Sequence, residues 1–570
     1  MLNLLSIWFD REVILHIIHN MNQTCAQCHK AFTIHDTDRD FYTMVKSPLP
    51  LYCPDCRVMR RLAFRNERTL YKRTCDLCTK EIVSVYPTET PFAIYCHTCW
   101  WSDKWDPKSF AIDYDPTRSF LDQFQQLQLQ IPRIALLVVN SINSEYTNNA
   151  GQNKDCYLVF ASDTNEYCFY SRLVMRSKSC MDCTSVYDSE LCYECVDCRQ
   201  CFKCLFTENS QSSSDLLFCY DMKNSNNCIF STHGRNMSYT IYNQKVSKEE
   251  FESKKKEIFS SYENLEKAKQ EFKKIKESTF VKYASQVKCN NVTGDYMYNC
   301  YDGKRLFDVS DTKNSSYMAD SMDHIDSMDC NNCYIKCERH YDMMSLLGGS
   351  NNKHGMYVMY STECEYCDSC YNSQSLFGCI GLNKESYCIL NKKYTKEEYL
   401  VLKEEIIESM KKDGTYGQFF PPHLSPFGYN ETLAKEYYPM TRDEALEKGY
   451  RWQENNTGTF GKETLTEEHI PLSIDDTNES ILSEILVCNE CDRNYRITQG
   501  EFDLYKRLGV PVPHKDFECR HQNRAAQRTP RALWQRSCMN VGCTRTLETA
   551  YGPDRKEKIY CDECYKKEVL

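Results

Sequence analysis

The chain has 570 residues, 36 of them cysteine, and a net charge of −10. So many cysteines in a long chain with no secretory signal exclude the small disulfide scaffold, and the length suggests about three to five domains. Many of the cysteines form C-x-x-C pairs that suit tetrahedral zinc, so a reducing, cytoplasmic setting is expected.

In chain order, MLNLLSIWFDREVILHIIHN comes first. Asp10, Arg11 and Glu12 interrupt its apolar runs, which excludes a membrane span, and the basic start and cleavage site of a signal peptide are missing. Residues 1–20 read as an amphipathic helix or as sequence upstream of a start at Met21. Residues 21–105 predict a first two-zinc module. Residues 106–149 predict a helical linker, with the helix of DPTRSFLDQFQQLQLQ capped at Asp115 and Pro116 in its first turn. Residues 150–277 and 288–411 predict two repeated units, 412–484 an irregular linker, and 485–570 a second two-zinc module.

Three repeats support this division. Cys25–Cys75 aligns without a gap on Cys488–Cys538: Cys25, Cys28, Cys56 and Cys75 match Cys488, Cys491, Cys519 and Cys538. In the middle, SYTIYNQKVSKEEF from Ser238 answers SYCILNKKYTKEEY from Ser386, 148 positions later. Each predicts a β-rich run and then a helix with a capping box, Ser247 with Glu250 and Thr395 with Glu398. Inside the units, Cys156, Cys168, Cys180, Cys192 and Cys204 recur every twelve residues. Short β-type runs at a fixed period predict a duplicated β-solenoid, parallel β-helix-like, with an inward cysteine ladder and two runs to a coil of about 24 residues. Cys192–Cys204 also recur every third residue; they read as small buried residues in preference to a further metal or redox site.

Zinc takes four N or S ligands, and each knuckle supplies two. We pair Cys25 and Cys28 with Cys53 and Cys56, Cys75 and Cys78 with Cys96 and Cys99, and Cys538 and Cys543 with Cys561 and Cys564. The remaining site has Cys488, Cys491 and Cys519, and its fourth ligand stays open among Asp516, His514 and His521. About four zinc ions per chain are expected.

CPDCRVMRRLAFRNER, from Cys53, adds an arginine row. Arg57, Arg61, Arg65 and Arg68 have the spacing of one helix face, and Arg520, Arg524, Arg528 and Arg531 repeat it, with Arg73 matching Arg536. The ends are cationic: residues 21–105 carry 12 Lys/Arg against 9 Asp/Glu, and residues 485–570 carry 16 against 12. Such rows suit phosphate contacts with RNA or DNA. They equally suit charge balance beside dianionic zinc sites, or pairing with the acidic body or a protein partner. Trp100, Trp101 and Trp105 read as base-stacking residues or as a cover for the zinc. No Gly-rich phosphate loop, Ser/His/Asp set or H-E-x-x-H appears, so no enzyme, small-molecule substrate or membrane partner is expected.

Two knuckles with the second opening a helix resemble the treble-clef and zinc-ribbon folds, giving small α+β modules at both ends. From about residue 21 onward, CPDCRVMRRLAFRNER, IYCHTCWWSDKW, NKKYTKEEY, FFPPHLSPFGYNET and FECRH resemble a family of cysteine-rich hypothetical proteins from uncultured bacteria. That resemblance implies intracellular zinc binding and supplies no mechanism. The expected protein is a scaffold or adaptor whose end modules bind nucleic acid or a ribonucleoprotein, or else a structural or protein-interaction solenoid.

Overall fold

The computed structural model describes residues 20–455 and 458–569, so the reading of the opening segment lies outside the described residues apart from Asn20. The fold mixes helices with predominantly parallel sheets.

Two parallel arrays dominate, one running from Val138 to Lys245 and the other from Gln286 to Lys393. Their strands pair at an offset of twelve residues: Phe169 with Tyr157, Arg172 with Thr184, Val186 with Cys198. One turn of chain therefore takes twelve residues, not the 24 that the cysteine pattern suggested. Val138 already pairs with Ala150, so the end of the expected linker belongs to the first array.

The short turn has a local cause. From Asp155 to Asn236 every third residue is left-handed, with φ between 48° and 58°. Each such residue turns the chain sharply, four times within each twelve-residue offset. The left-handed conformation costs an ordinary residue about 1–2 kcal/mol and suits Asn and Asp best. Asp182, Asp197, Asn209 and Asp221 hold such corners in the first array, and Asp308, Asp320, Asp329 and Asp342 in the second.

The coil interior is narrow. From Cys156 to Ser231 every third residue is buried, and most are Cys, Ser, Val, Thr or Asn. Their amides point along the stack. Ser189 donates its N–H to Ser177 Oγ at 3.1 Å, and Cys201 donates to Ser189 Oγ at 3.0 Å, in each case one coil back. A cysteine in that column gives its thiol to the carbonyl two residues earlier, as Cys192 does to Glu190 at 3.6 Å. Small polar side chains thus satisfy buried backbone that a larger apolar residue would leave unpaired.

The second array leaves this register twice. Gln286 pairs with Met297, one residue short, and Met328 pairs with Tyr341, one residue over. The extra residue lies at Ile335 and Lys336, which are consecutive left-handed positions. Both arrays end in an antiparallel return strand followed by a helix, Lys248–Phe259 and Lys396–Lys412. The capping boxes close as the sequence indicated: Ser247 Oγ accepts from Glu250 N–H at 3.1 Å, and Thr395 Oγ1 from Glu398 N–H at 3.2 Å.

The linker helix is Phe120–Gln130, capped at Ser119 rather than Asp115. Asp115 instead accepts from Thr117 N–H at 2.9 Å, and Gln123 reaches back to the Asp115 and Arg118 carbonyls, so a separate turn precedes the helix. Between 413 and 484 the described residues hold only short helices, among them Leu433–Tyr437 and Arg442–Glu447.

The two ends cross over. The helix Pro54–Leu62 of the first module lies on the second array, and Phe517–Ala525 of the second module lies on the first. A strand of each module also extends the segment entering an array: Ile94–Tyr95 pairs with Arg133–Ile134, and Lys558–Tyr560 with Phe280–Lys282.

Candidate metal centres and their docking face

Each metal group is built from an antiparallel hairpin and the start of a helix. The first uses Met21–Thr24 with Ala31–Ile34 for its knuckle, and Pro54–Leu62 for its helix. Tight knuckle turns close on a left-handed residue directly after the second cysteine: His29, Thr79 and Asp492. In the wider Cys538–Cys543 turn the left-handed residue is Gly542, directly before the second cysteine, where lacking a Cβ removes the steric cost.

Four groups gather their ligand atoms within 4.8 Å of one another. They are Cys25, Cys28, Cys53 and Cys56; Cys75, Cys78, Cys96 and Cys99; Cys538, Cys543, Cys561 and Cys564; and Cys488, Cys491, Asp516 and Cys519. Cys28 and Cys53 Sγ are 3.7 Å apart, and Cys78 and Cys96 Sγ 3.9 Å. Four sulfurs set tetrahedrally about 2.3 Å from one ion would lie about 3.8 Å apart. Backbone amides already point at these sulfurs: Cys53 N–H to Cys25 at 3.3 Å, Cys96 N–H to Cys75 at 3.2 Å, Cys561 N–H to Cys538 at 3.3 Å. Hydrogen bonding with Cys56, then with the helix-start amide, holds the Cys53 thiol down to about 5. Each group can therefore hold a metal ion.

At the mixed group the structure selects among the open ligands. Asp516 joins the three cysteines. It stands where Cys53 stands in the first module, immediately before the helix. His514 and His521 are turned away: His514 stacks on Tyr262 with centroids 3.7 Å apart, and His521 contacts Glu436 at 3.3 Å. The array cysteines form no further group of this kind among the described residues, and every cysteine is a free thiol.

The arginine rows are turned inward, against the expectation of phosphate contacts. The helix ends at Leu62, so only Arg57 and Arg61 of the first row share its face, while Arg65 and Arg68 follow on irregular chain. Arg61, wholly buried, lies between two corners of the second array, 3.1 Å from Asp329 and 2.5 Å from Asp342. Arg57 meets Asp329 at 3.0 Å and covers the ring of Tyr317. The second module repeats these contacts. Arg524, also wholly buried, meets Asp182 at 2.8 Å and Glu194 at 3.6 Å; Arg520 meets Asp182 at 3.0 Å and covers Tyr170. Asp182 and Asp329, like Tyr170 and Tyr317, are 147 positions apart, while Glu194 and Asp342, beyond the extra residue, are 148 apart. The docking face was thus duplicated with both of its sides. Burial works against the charge on Arg61, but Asp329 and Asp342 outweigh it and its pKa is raised.

The remaining arginines knit the parts together. Arg65 pairs with Glu67 at 2.7 Å, Glu67 with Arg172 at 2.7 Å, and Arg172 with Asp320 at 3.1 Å. Asp320 pairs with Arg531 at 2.6 Å, Arg531 with Asp308 at 3.1 Å, and Arg528 bridges Asp308 and Asp197. This alternating chain touches both modules and both arrays. Burial opposes the Glu67 charge, yet Arg172 and Arg65 prevail and its pKa is lowered. Arg68 binds Glu436 and Glu518. Arg73 donates to the Pro87 carbonyl at 2.7 Å, and Arg536 to the Gly552 carbonyl at 2.5 Å. Trp100 and Trp101 pack on the second array, Trp101 against Tyr371 with centroids 4.8 Å apart, and Trp105 packs on Trp100.

Sequence reasoning missed Asp182, Asp329, Asp342, Glu67 and Arg172. The available signal was Asp and Asn recurring at multiples of three, as in Asp308, Asp311, Asp320, Asp323, Asp326 and Asp329.

No family model matches the chain, and no curated protein matches it, so the resemblance to cysteine-rich bacterial proteins rests on the quoted motifs alone. No helix among the described residues is long and apolar enough to cross a membrane.

Proposed function

We propose that the protein is a non-enzymatic zinc scaffold of the cytoplasm: two four-sided β-solenoids clamped crosswise by two treble-clef-like zinc modules. The observation that carries this reading is the buried, duplicated docking of Arg57 and Arg61 on Asp329 and Asp342, and of Arg520 and Arg524 on Asp182. Zinc fixes the start of each docking helix, the helix presents its arginines, and the solenoid corners receive them. The metal serves structure in this reading: it supplies the folding energy of a small module that has little core of its own.

The nucleic-acid reading is not carried forward, because the arginines meant for phosphate already hold carboxylates inside the molecule. Pulling them out would leave Asp182 and Asp329 buried and unpaired. The solenoid flanks are left as surface for a protein partner. Binding of mixed RNA and DNA, read by fluorescence anisotropy at low salt, tests the choice. No specific binding is expected. Salt-dependent binding that disappears in a folded R57E/R61E/R520E/R524E protein would overturn it.

A further inference from the structure

We propose that the Cys488–Cys491–Asp516–Cys519 group is the exchangeable metal site of the four, taking up and releasing a divalent d10 cation such as zinc while the three four-cysteine groups keep theirs. The proposal rests on the zinc reading above. Its basis is the residue before the helix. In the other groups that residue is a cysteine, Cys53, Cys96 or Cys561; here it is Asp516. Thiolate is the softer ligand and holds zinc more firmly than a single carboxylate oxygen.

Asp516 is also a stronger hydrogen-bond acceptor for its protein partners than a thiol in the same place. Its Oδ1 accepts from Cys519 N–H at 2.8 Å, which caps the helix Phe517–Ala525. Its Oδ2 lies 3.1 Å from Cys491 Sγ and 4.0 Å from Arg493 Nε. The matching caps in the cysteine groups use sulfur, a weak acceptor, at 3.4 Å for Cys96 and 3.5 Å for Cys561. The first-module counterpart of Arg493 is the exposed Lys30. A vacated mixed site therefore keeps its carboxylate paired and its helix capped, and Arg520, beside Cys519, stays held by Asp182. In the first module Arg57, beside Cys56, is likewise held by Asp329, so the difference lies in the carboxylate and its short cap.

Access does not single the site out. Val512, Pro513, His514 and Lys515, just before Asp516, line a cavity of about 650 Å³, but none of the four ligands does. Cys491 is exposed, but so is Cys78, so the carboxylate rather than exposure sets this site apart.

The test is native mass spectrometry of the zinc-loaded full chain under stepwise chelation with EDTA. One zinc should leave first and three should remain over at least a tenfold range of chelator, with the far-ultraviolet circular dichroism unchanged. Asp516→Cys should remove that first step and leave four retained ions. Reloading the released site with cobalt gives a second reading, since its thiolate-to-cobalt absorption should reflect three sulfurs and not four. Simultaneous loss of all four ions, or a released site with four-sulfur absorption, would overturn the proposal and leave the zinc reading standing. A chain that takes up no zinc on reloading would sink both.

Discussion

At the scale of the residue, the molecule depends on a few buried charges with fixed partners. Arg61 and its carboxylates are shielded from water, so removing the cation leaves Asp329 and Asp342 uncompensated. Arg61→Met should cost about 3–5 kcal/mol in urea unfolding, the range for breaking a buried pair from one side. Arg442 shows the contrast: it is half exposed beside Glu454, and its replacement should change stability by less than about 1 kcal/mol. Buried histidines add a pH dependence. Burial holds His324 down to about 4 and His340 to about 3, against 6.5 for a free side chain. Both are neutral in the fold, while the unfolded chain takes up protons below 6.5. Their contribution is thus complete above pH 6.5 and is lost as pH falls toward 4. In urea unfolding followed from pH 7 to 4.5, H324N/H340N should lose stability less steeply than the parent; parallel slopes would contradict this assignment.

At the scale of the element, the left-handed corner explains the most. Ile335 is β-branched and sits at φ 70° in the register insertion, with 42% of its surface exposed. Ile335→Gly should raise stability by about 1 kcal/mol, because it relieves the corner and removes little packing. A loss in thermal unfolding would mean that the insertion is held by the isoleucine side chain. The caps behave conventionally: Thr395→Ala should cost about 1 kcal/mol. The twelve-residue cysteine count made the period legible, and the capping boxes made the following helices legible. The number of sides was not legible, because β-propensity reports extended chain and the left-handed residue at each corner is often Tyr, Leu or Phe, as at Tyr170, Leu191 and Phe218. Three ligand sets followed from knuckle spacing. The mixed site did not, since Asp516, His514 and His521 all lie near Cys519 in sequence, and only the helix start brings Asp516 to the sulfurs.

At the scale of the whole molecule, the ends act as clasps. Each end module reaches the array farther along the chain from itself, and Arg520 and Arg524 repeat on the first array the contacts of Arg57 and Arg61 on the second. The arginine spacing was visible in the sequence, but its destination was not, because the array carboxylates that receive Arg57, Arg61, Arg520 and Arg524 lie 268 to 342 positions away. The clasp is tested most directly by a double-mutant cycle on Arg524 and Asp182, read as unfolding free energy of the zinc-loaded chain. Each single replacement, Arg524→Met or Asp182→Asn, should cost several kcal/mol, and the double variant should cost at least about 2 kcal/mol less than their sum. Strict additivity would contradict the account, because it would mean that the arginine row does not hold the module to the array.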